Sequence, residues 1–325
     1  LKMLRHQGTV YGVAEDGFFR LQPAPDTPGG EARWLRTPPV GRNIPRSLAS
    51  LGETLFVLRA TSLARWNGQD IEDIQALPIT RGTEFEPTPR RLLVGTEAGL
   101  ALFEPAGSSW KYASTLPTIA SPVESLVPGD GTDYWIGTLT QGVFHVAFPP
   151  GGGPTVQPIA AGEGLPAGQR ILIDATAAGR MFRTPREVFF DDPATGRFVP
   201  NDRLLVQGKP LRQIERVGTS EDGRIFVQAR LPDEPDRLRL GWFSRESPTA
   251  AWTWHALPAR LVDRLGTIGA RWLFHDDYDG SDVLWASGTS VVLRIDLRSP
   301  ETPVRKPAAI IRRAERGDTP LPDSS

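Results

Sequence analysis

The sequence predicts an all-β fold, a seven-bladed β-propeller of four-stranded blades, on three observations. A short apolar strand carrying an aromatic or large residue, a polar turn and a second short strand recur along the chain. The recurrence has a period of about 44 residues, inside the roughly 40 to 50 of a four-stranded blade. Glycine and proline number 33 and 31 of 325 residues, about a fifth of the chain. That is below the range of low-complexity disorder and suits many short strands joined by turns.

The strand pairs run in chain order as 10–13 (VYGV) with 17–21 (GFFRL), 55–58 (LFVL) with 63–66 (LARW), and 92–96 (LLVGT) with 99–103 (GLALF). They continue as 134–138 (YWIGT) with 142–146 (GVFHV), 181–184 (MFRT) with 188–190 (VFF), 225–227 (IFV) with 240–243 (LGWF), and 284–287 (LWAS) with 291–295 (VVLRI). The anchors Tyr11, Phe56, Leu93, Trp135, Phe182, Phe226 and Trp285 are spaced by 45, 37, 42, 47, 44 and 59. No sustained helical periodicity competes. Each pair has the two further strands that a blade needs. An upstream strand ends in an acidic turn, as at Glu221-Asp222-Gly223, Gly129-Asp130-Gly131 and Asp277-Tyr278-Asp279-Gly280. There glycine supplies the positive φ of a tight hairpin. A downstream aromatic strand, at Trp110-Lys111-Tyr112 or Trp252-Thr253-Trp254, runs into Leu116-Pro117 or Leu257-Pro258, where proline ends an edge strand.

Composition excludes several functions. Lys plus Arg is 37 against 38 for Asp plus Glu, a net charge of −1. A nucleic-acid groove or an anionic-membrane surface calls for a positive excess. No apolar run approaches the roughly 18 residues of a membrane span. Cysteine is absent, so disulfides, thiolate metal sites and cysteine nucleophiles are excluded, while the redox compartment stays open. Leu1-Lys2-Met3 reads as the start of a fragment, and a missing leader says nothing of export.

Trp135-Ile136-Gly137-Thr138 followed by Gly142-Val143-Phe144 resembles the LWIGT-x-x-GL-x-R-F signature of the two-component regulator propeller repeats. Leu93-Val94-Gly95-Thr96 with 99–105 (GLALFEP) is similar to a second copy, and Gly164-Leu165-Pro166 ahead of 171–174 resembles the family's connection into an inner strand. Units 2, 5 and 6 lack the Gly-Thr pair. The resemblance implies the extracytoplasmic, periplasmic sensory part of a bacterial transmembrane receptor. Such parts often occur in tandem ahead of an immunoglobulin-like domain, a membrane span and a kinase or other output module. On that reading residues 1–300 form the propeller and 301–325 an exit segment. The run 303–313 with Gly317-Asp318 resembles the lead-in to the immunoglobulin-like domain, an outer strand of the last blade being the alternative.

Candidate chemistry is sparse. The stretch 276–282 (DDYDGSD) has the alternating carboxylates of a calcium loop. It lacks the distal glutamate and falls where every blade has an acidic turn, so it is read as a turn. His6, His145, His255 and His275 lie in separate units, without metal-ligand spacing, and are read as structural; no metal and no cofactor is assigned. Glu15, Asp16, Glu97 and Glu163 fall in loops that reach one face, where a glycosidase would need two carboxylates about 5 to 10 Å apart. Solvated loop charge is the better reading. The nine tryptophans are read mainly as inter-blade filling.

In a propeller the turn between second and third strands shares a face with the connection to the next blade. That face holds the hypothetical ligand-binding residues Arg59, Glu97, Gln141 and Arg186, besides Glu15 and a charged insertion over 230–237. Mixed Arg, Glu and Gln around a channel mouth suit a polar ligand such as an oligosaccharide or a peptide. The expected function is a non-catalytic sensor whose partners are neighbouring receptor domains, dimeric in the full-length protein, with no nucleic acid and no membrane contact of its own. The rival is a propeller-based carbohydrate-active hydrolase or lyase. A scaffold of the WD40 type is the third reading, weakened by the absence of Gly-His and Trp-Asp dipeptides.

Overall fold

The computed structural model describes residues 2–14, 17–22, 33–37, 43–76, 82–88, 91–107, 109–192, 194–266, 269–277, 280, 282–288 and 291–298. Seven antiparallel sheets stand in a ring. Blade 1 holds Lys2–His6, Thr9–Ala14, Gly17–Gln22 and Arg33–Thr37; blade 2 holds Pro45–Leu51, Thr54–Arg59, Ser62–Trp66 and Ile71–Ala76. Blade 3 is Gly82–Pro87, Leu92–Thr96, Gly99–Ala106 and Ser109–Leu116; blade 4 is Val123–Pro128, Asp133–Thr138, Val143–Ala147 and Thr155–Pro158. Blade 5 is Leu172–Thr176, Gly179–Arg183, Val188–Asp192 and Arg197–Pro200; blade 6 is Gln213–Thr219, Ile225–Leu231, Glu234–Ser244 and Thr253–Ala256. Blade 7 contributes Trp272–Asp276, Val283–Ser287 and Val292–Asp296 among the described residues. Each innermost strand packs beside the next, and Trp272–Asp276 returns to Lys2–His6, so the ring closes. The molecule is a seven-bladed β-propeller.

Burial follows from this geometry. A blade has a neighbour on each face, so its middle strands read as continuous apolar runs rather than alternating ones. Leu92–Thr96 and Val283–Ser287 are buried at every position. The innermost Val123–Pro128 alternates, and the outermost Thr155–Pro158 is largely exposed. The apolar side chains form seven clusters, one at each seam between blades. At the seam of blades 4 and 5, Trp135 meets Phe182 and Phe198 edge-on at 5.6 and 6.1 Å. Trp285 meets Trp34 at 5.9 Å where blade 7 closes on blade 1. Each fully buried Phe or Leu stabilises the ring by about 1.5 to 3 kcal/mol. Closure is also ionic: Arg5 Nε and Nη2 grip Asp276 Oδ1 and Oδ2 at 2.7 and 2.5 Å.

All seven sequence anchors lie in second strands. The acidic turns join first to second strands, with Gly131 and Gly223 at φ 71° and 86°. Two details differ from the sequence reading. The stretch 230–237 is no loop: Leu231 pairs with Glu234 and Arg230 with Leu238, so a tight turn caps an irregular extension of blade 6. The connection from blade 6 to blade 7 carries a short helix, Ala259–Arg264. These two insertions produce the long spacing of 59 between Phe226 and Trp285. Glu15, Asp16, part of 276–282 and the segment 301–325 lie outside the described residues.

Candidate functional site

The second-to-third turns and the inter-blade connections do share one face, and they are stitched together there. In blade 4, Leu139 N donates to Pro122 O at 2.9 Å and Ala120 N donates to Gln141 Oε1 at 2.8 Å. The Gly-Thr signature has a local explanation. Thr138 Oγ1 donates to Gly142 O at 2.8 Å and accepts from Gln141 N at 3.0 Å, clamping the turn; Thr96 does the same with Gly99 O and Ala98 N. Thr184 repeats the clamp in blade 5 with Glu187.

Where the Gly-Thr pair is missing, a buried polar side chain braces the same end of the second strand. In blade 2 it is Arg59, which donates to Asn43 O at 2.9 Å and Asp73 Oδ1 at 3.0 Å. In blade 5 it is Arg183, which binds Asp174 through Nε at 2.6 Å and donates through Nη1 to Ile214 O of blade 6 at 2.8 Å. In blade 6 it is Gln228, whose Oε1 accepts from Ala270 N. The four innermost strands of blades 2, 3, 4 and 6 carry a register break near their start on this face. Such bulges redirect side chains, and Glu215 sits at the one in blade 6.

Between blades 5 and 6 the face opens into a cleft of about 310 Å³ lined by Arg170, Leu172, Arg183, Thr184, Pro185, Gln213, Ile214, Glu215, Arg216 and Arg230. Four guanidinium groups meet one carboxylate. Arg170 is bound to Glu124 at 2.6 Å and Arg183 to Asp174 at 2.6 Å, both carboxylates standing outside the lining. Arg230 Nε lies 3.6 Å from Glu215. Arg216 donates only to backbone, through Nε to Arg271 O at 2.8 Å and through Nη1 to Glu215 O at 2.6 Å. Burial, then the neighbouring Arg183 charge, hold the Arg216 guanidinium below its ordinary pKa.

The four residues expected from sequence do not converge there. Arg59 is buried within blade 2, Glu97 is exposed at the turn of blade 3, Gln141 ties its loop to Ala120, and Arg186 is an exposed tip beside Thr184 and Pro185. Of the charged stretch over 230–237, only Arg230 reaches the cleft. Sequence reasoning missed Arg170, Arg183, Glu215 and Arg216. Its usable signals were Arg183 in place of the signature glycine, just before Thr184, and two charges, Glu215-Arg216, inside an innermost strand.

Elsewhere the histidines have structural partners. His6 bonds Ser50, His145 lies 3.1 Å from Asp133 and 4.7 Å from the Trp135 ring, and His255 stacks on Trp242 and bonds Ser244. His275 stacks on Phe226 and meets Asp282 at 3.0 Å. Asp276 and Asp282, the described carboxylates at the ends of the calcium-like stretch, are occupied by Arg5 and by Arg224. Among the described residues no group of three or more His, Asp or Glu converges as a metal site. A second cleft, about 670 Å³, lies on the flank of blade 6 beside Trp252 and Trp254. Trp252 is covered by Arg245 at 4.6 Å and Trp254 packs on Phe243 at 5.1 Å. Among the described residues no helix is long and apolar enough to cross a membrane.

No protein-family model matches the chain, and no curated protein matches it. Solved structures do. The extracellular domain of BT4673 from B. thetaiotaomicron, assigned as a one-component system, is similar with a TM-score of 0.62 and 12% identity, over 89% of this chain and 37% of that one. The extracellular domain of BT3049 from the same organism, assigned as a hybrid two-component system, aligns with a TM-score of 0.59 and 14% identity, over 99% of this chain and 43% of that one. An assigned 6-phosphogluconolactonase from Bacteroides uniformis ATCC 8492 aligns with a TM-score of 0.58 and 14% identity, over 88% and 87%. The chain therefore spans less than half of each of those two extracellular domains. At these identities the likeness establishes the propeller fold.

Proposed function

We propose that this chain is a non-catalytic, ligand-receiving propeller in the extracytoplasmic part of a bacterial signalling receptor. The observation that carries the reading is the polar cleft on the loop face between blades 5 and 6, set into a closed, rigid ring. The structural likeness to extracellular domains of a one-component and a hybrid two-component system supports it, as does the resemblance of Trp135-Ile136-Gly137-Thr138 and its repeat to the sensor signature. An oligosaccharide is the proposed stimulus, and neighbouring receptor domains, paired in a dimer, are the proposed partners. A bound ligand signals through its differential affinity for two receptor states.

The hydrolase reading finds less support. Sugar hydrolysis needs a pair of carboxylates across the substrate, and only Glu215 lines the cleft, while Asp174 and Glu124 are tied to arginines. The test is thermal unfolding of the chain against a library of oligosaccharides and peptides, with product formation followed in the same wells. A ligand at one hundred times its Kd adds about 2.7 kcal/mol, a rise in midpoint of several degrees. A rise without turnover supports the sensor. Turnover overturns it, and a library without any shift removes the ligand-binding reading.

A further inference from the structure

The charges lining the blade 5–6 cleft do not balance locally, and the imbalance rests on one residue. Arg170 and Arg183 have carboxylate partners at 2.6 Å, and Arg230 shares Glu215 at 3.6 Å. Arg216 makes no close ion pair with a carboxylate among the described residues; the Glu215 carboxylate, which Arg230 shares, acts on it only from a greater distance. The two hydrogen bonds of Arg216 go to backbone carbonyls of Glu215 and Arg271, which hold the guanidinium plane fixed but carry only partial charge. The Nη2 amine, and one hydrogen of Nη1, are left without a protein acceptor among the described residues. A planar guanidinium anchored through Nε offers its outer edge for the two parallel bonds that an oxyanion accepts.

We propose that this cleft is an oxyanion-binding subsite in which Arg216, with Arg183 and Arg230 beside it, receives one carboxylate, sulfate or phosphate group of the ligand. The inference rests on the ligand-binding reading of this face and narrows its chemistry from polar to anionic. Three features fit it. The guanidinium is half-buried, so its field is weakly screened. Burial and the Arg183 charge disfavour the free cation more than the Glu215 carboxylate favours it, and the charge of a bound anion offsets that deficit. The volume, about 310 Å³, is at the small end of ligand sites, enough for a charged group with the ring or short chain that carries it. Leu172, Pro185 and Ile214 supply an apolar wall for that body.

Titration calorimetry tests this with galacturonate oligomers as the carboxylate source, a heparin-derived tetrasaccharide as the sulfate source, inorganic phosphate, and neutral galactose oligomers for comparison. One charged series binds, and its affinity falls as salt rises. Arg216→Gln weakens that binding about 10- to 100-fold, the worth of a hydrogen-bonded charge. Arg216→Lys falls between, and Arg230→Gln loses less. Arg65→Gln, a matched charge removal on blade 2, changes nothing. If inorganic phosphate or a single charged source carries all the Arg216-dependent affinity, the subsite is supported and its source named. If neutral oligomers bind as well as charged ones and ignore Arg216→Gln, the oxyanion subsite is overturned while ligand binding stands. If neither charged nor neutral probes bind, both readings fall. Unfolding midpoints measured without probe separate loss of binding from loss of fold, and Arg216→Lys with Arg230→Gln decides the matter if Arg216→Gln is unstable.

Discussion

Gly137→Ala is a sharp test of why the repeat signature requires its glycine. Gly137 lies in the second strand of blade 4, opposite Ser125 of the innermost strand. A Cβ there meets Ile171 O at 2.3 Å and Ser125 Oγ at 2.4 Å, both well inside van der Waals contact. Those two atoms belong to the link between blades 4 and 5: Ile171 N donates to Thr138 O at 3.1 Å, and Ile173 N donates to Ser125 Oγ at 2.8 Å. Overpacking costs about 1 to 3 kcal/mol, and losing the Ser125 bond about 1 more. Against this, alanine restricts the unfolded chain and stabilises by about 0.4 to 1 kcal/mol. The net expectation is a loss of about 1 to 3 kcal/mol, read as a lower urea midpoint at unchanged slope. Gly153→Ala is the control, since a Cβ at that exposed site meets nothing within 4 Å, and it should be neutral or slightly stabilising. If Gly137→Ala proves as stable as the parent, the close approach of strand and connection is not what the signature glycine serves.

Three further outcomes are expected. Arg224 bonds Asp282 at 2.7 Å and Asp222 at 2.9 Å; although burial works the other way, bonds from Arg224 and His275 hold Asp282, and bonds from Ser220 and Arg224 hold Asp222, below the usual carboxylate range. Groups depressed by folding stabilise fully above their unfolded pKa of about 3.9 and lose that contribution as pH falls through the lower folded values, so Asp282→Asn should flatten the acid limb of a stability-versus-pH curve below about pH 4. Arg5→Met strands the buried Asp276 carboxylate at the ring closure and should cost about 2 to 4 kcal/mol in urea unfolding, part of which Arg5→Met with Asp276→Asn recovers. Arg216→Met should leave the ligand-free ring as stable as the parent or up to about 1 kcal/mol more so, because it removes a cation that folding disfavours; a clear loss would show that its bond to Arg271 O outweighs the unbalanced charge.

The fold was legible in the sequence because a propeller repeats its physics. Each blade needs two buried middle strands and a glycine turn, so Leu92–Thr96 and Asp133–Thr138 reappear in altered form five more times, and all seven anchors fall in second strands. That second-to-third turns and inter-blade connections share one face was legible for the same topological reason. The residues lining the cleft on it were not. Arg59 and Arg183 stand at the same end of equivalent strands, but Arg59 turns to its own blade's Asp73, whereas Arg183 crosses to Ile214 of the next. Nothing local to either residue distinguishes them; the partner does, and it comes from a strand some thirty residues away. Glu215 and Arg216 were hidden by a register break, which upsets the alternation from which facing is read.

The position of the cleft follows from how the seam between blades 5 and 6 is filled. Their innermost strands approach each other less than any other neighbouring pair in the ring. The connection between the blades is long and carries its own hairpin, Leu205–Val206 with Lys209–Pro210. Asn201 fixes that hairpin, donating to Leu204 O and Leu211 O and accepting from Leu204 N. Leu204, Val206 and Leu211 then plug the seam with apolar side chains. On the loop face, where the inner strands diverge, the gap is spanned instead by Arg183, reaching from Asp174 of blade 5 to Ile214 O of blade 6. A guanidinium in that place satisfies the carbonyl but brings a positive charge beside Arg216, which an apolar filler would not. Asp174 neutralises one member of the pair, while the other is held by backbone carbonyls alone. On the oxyanion proposal, an anion seated between them would neutralise the second, and so would strengthen the seam with the least contact between innermost strands.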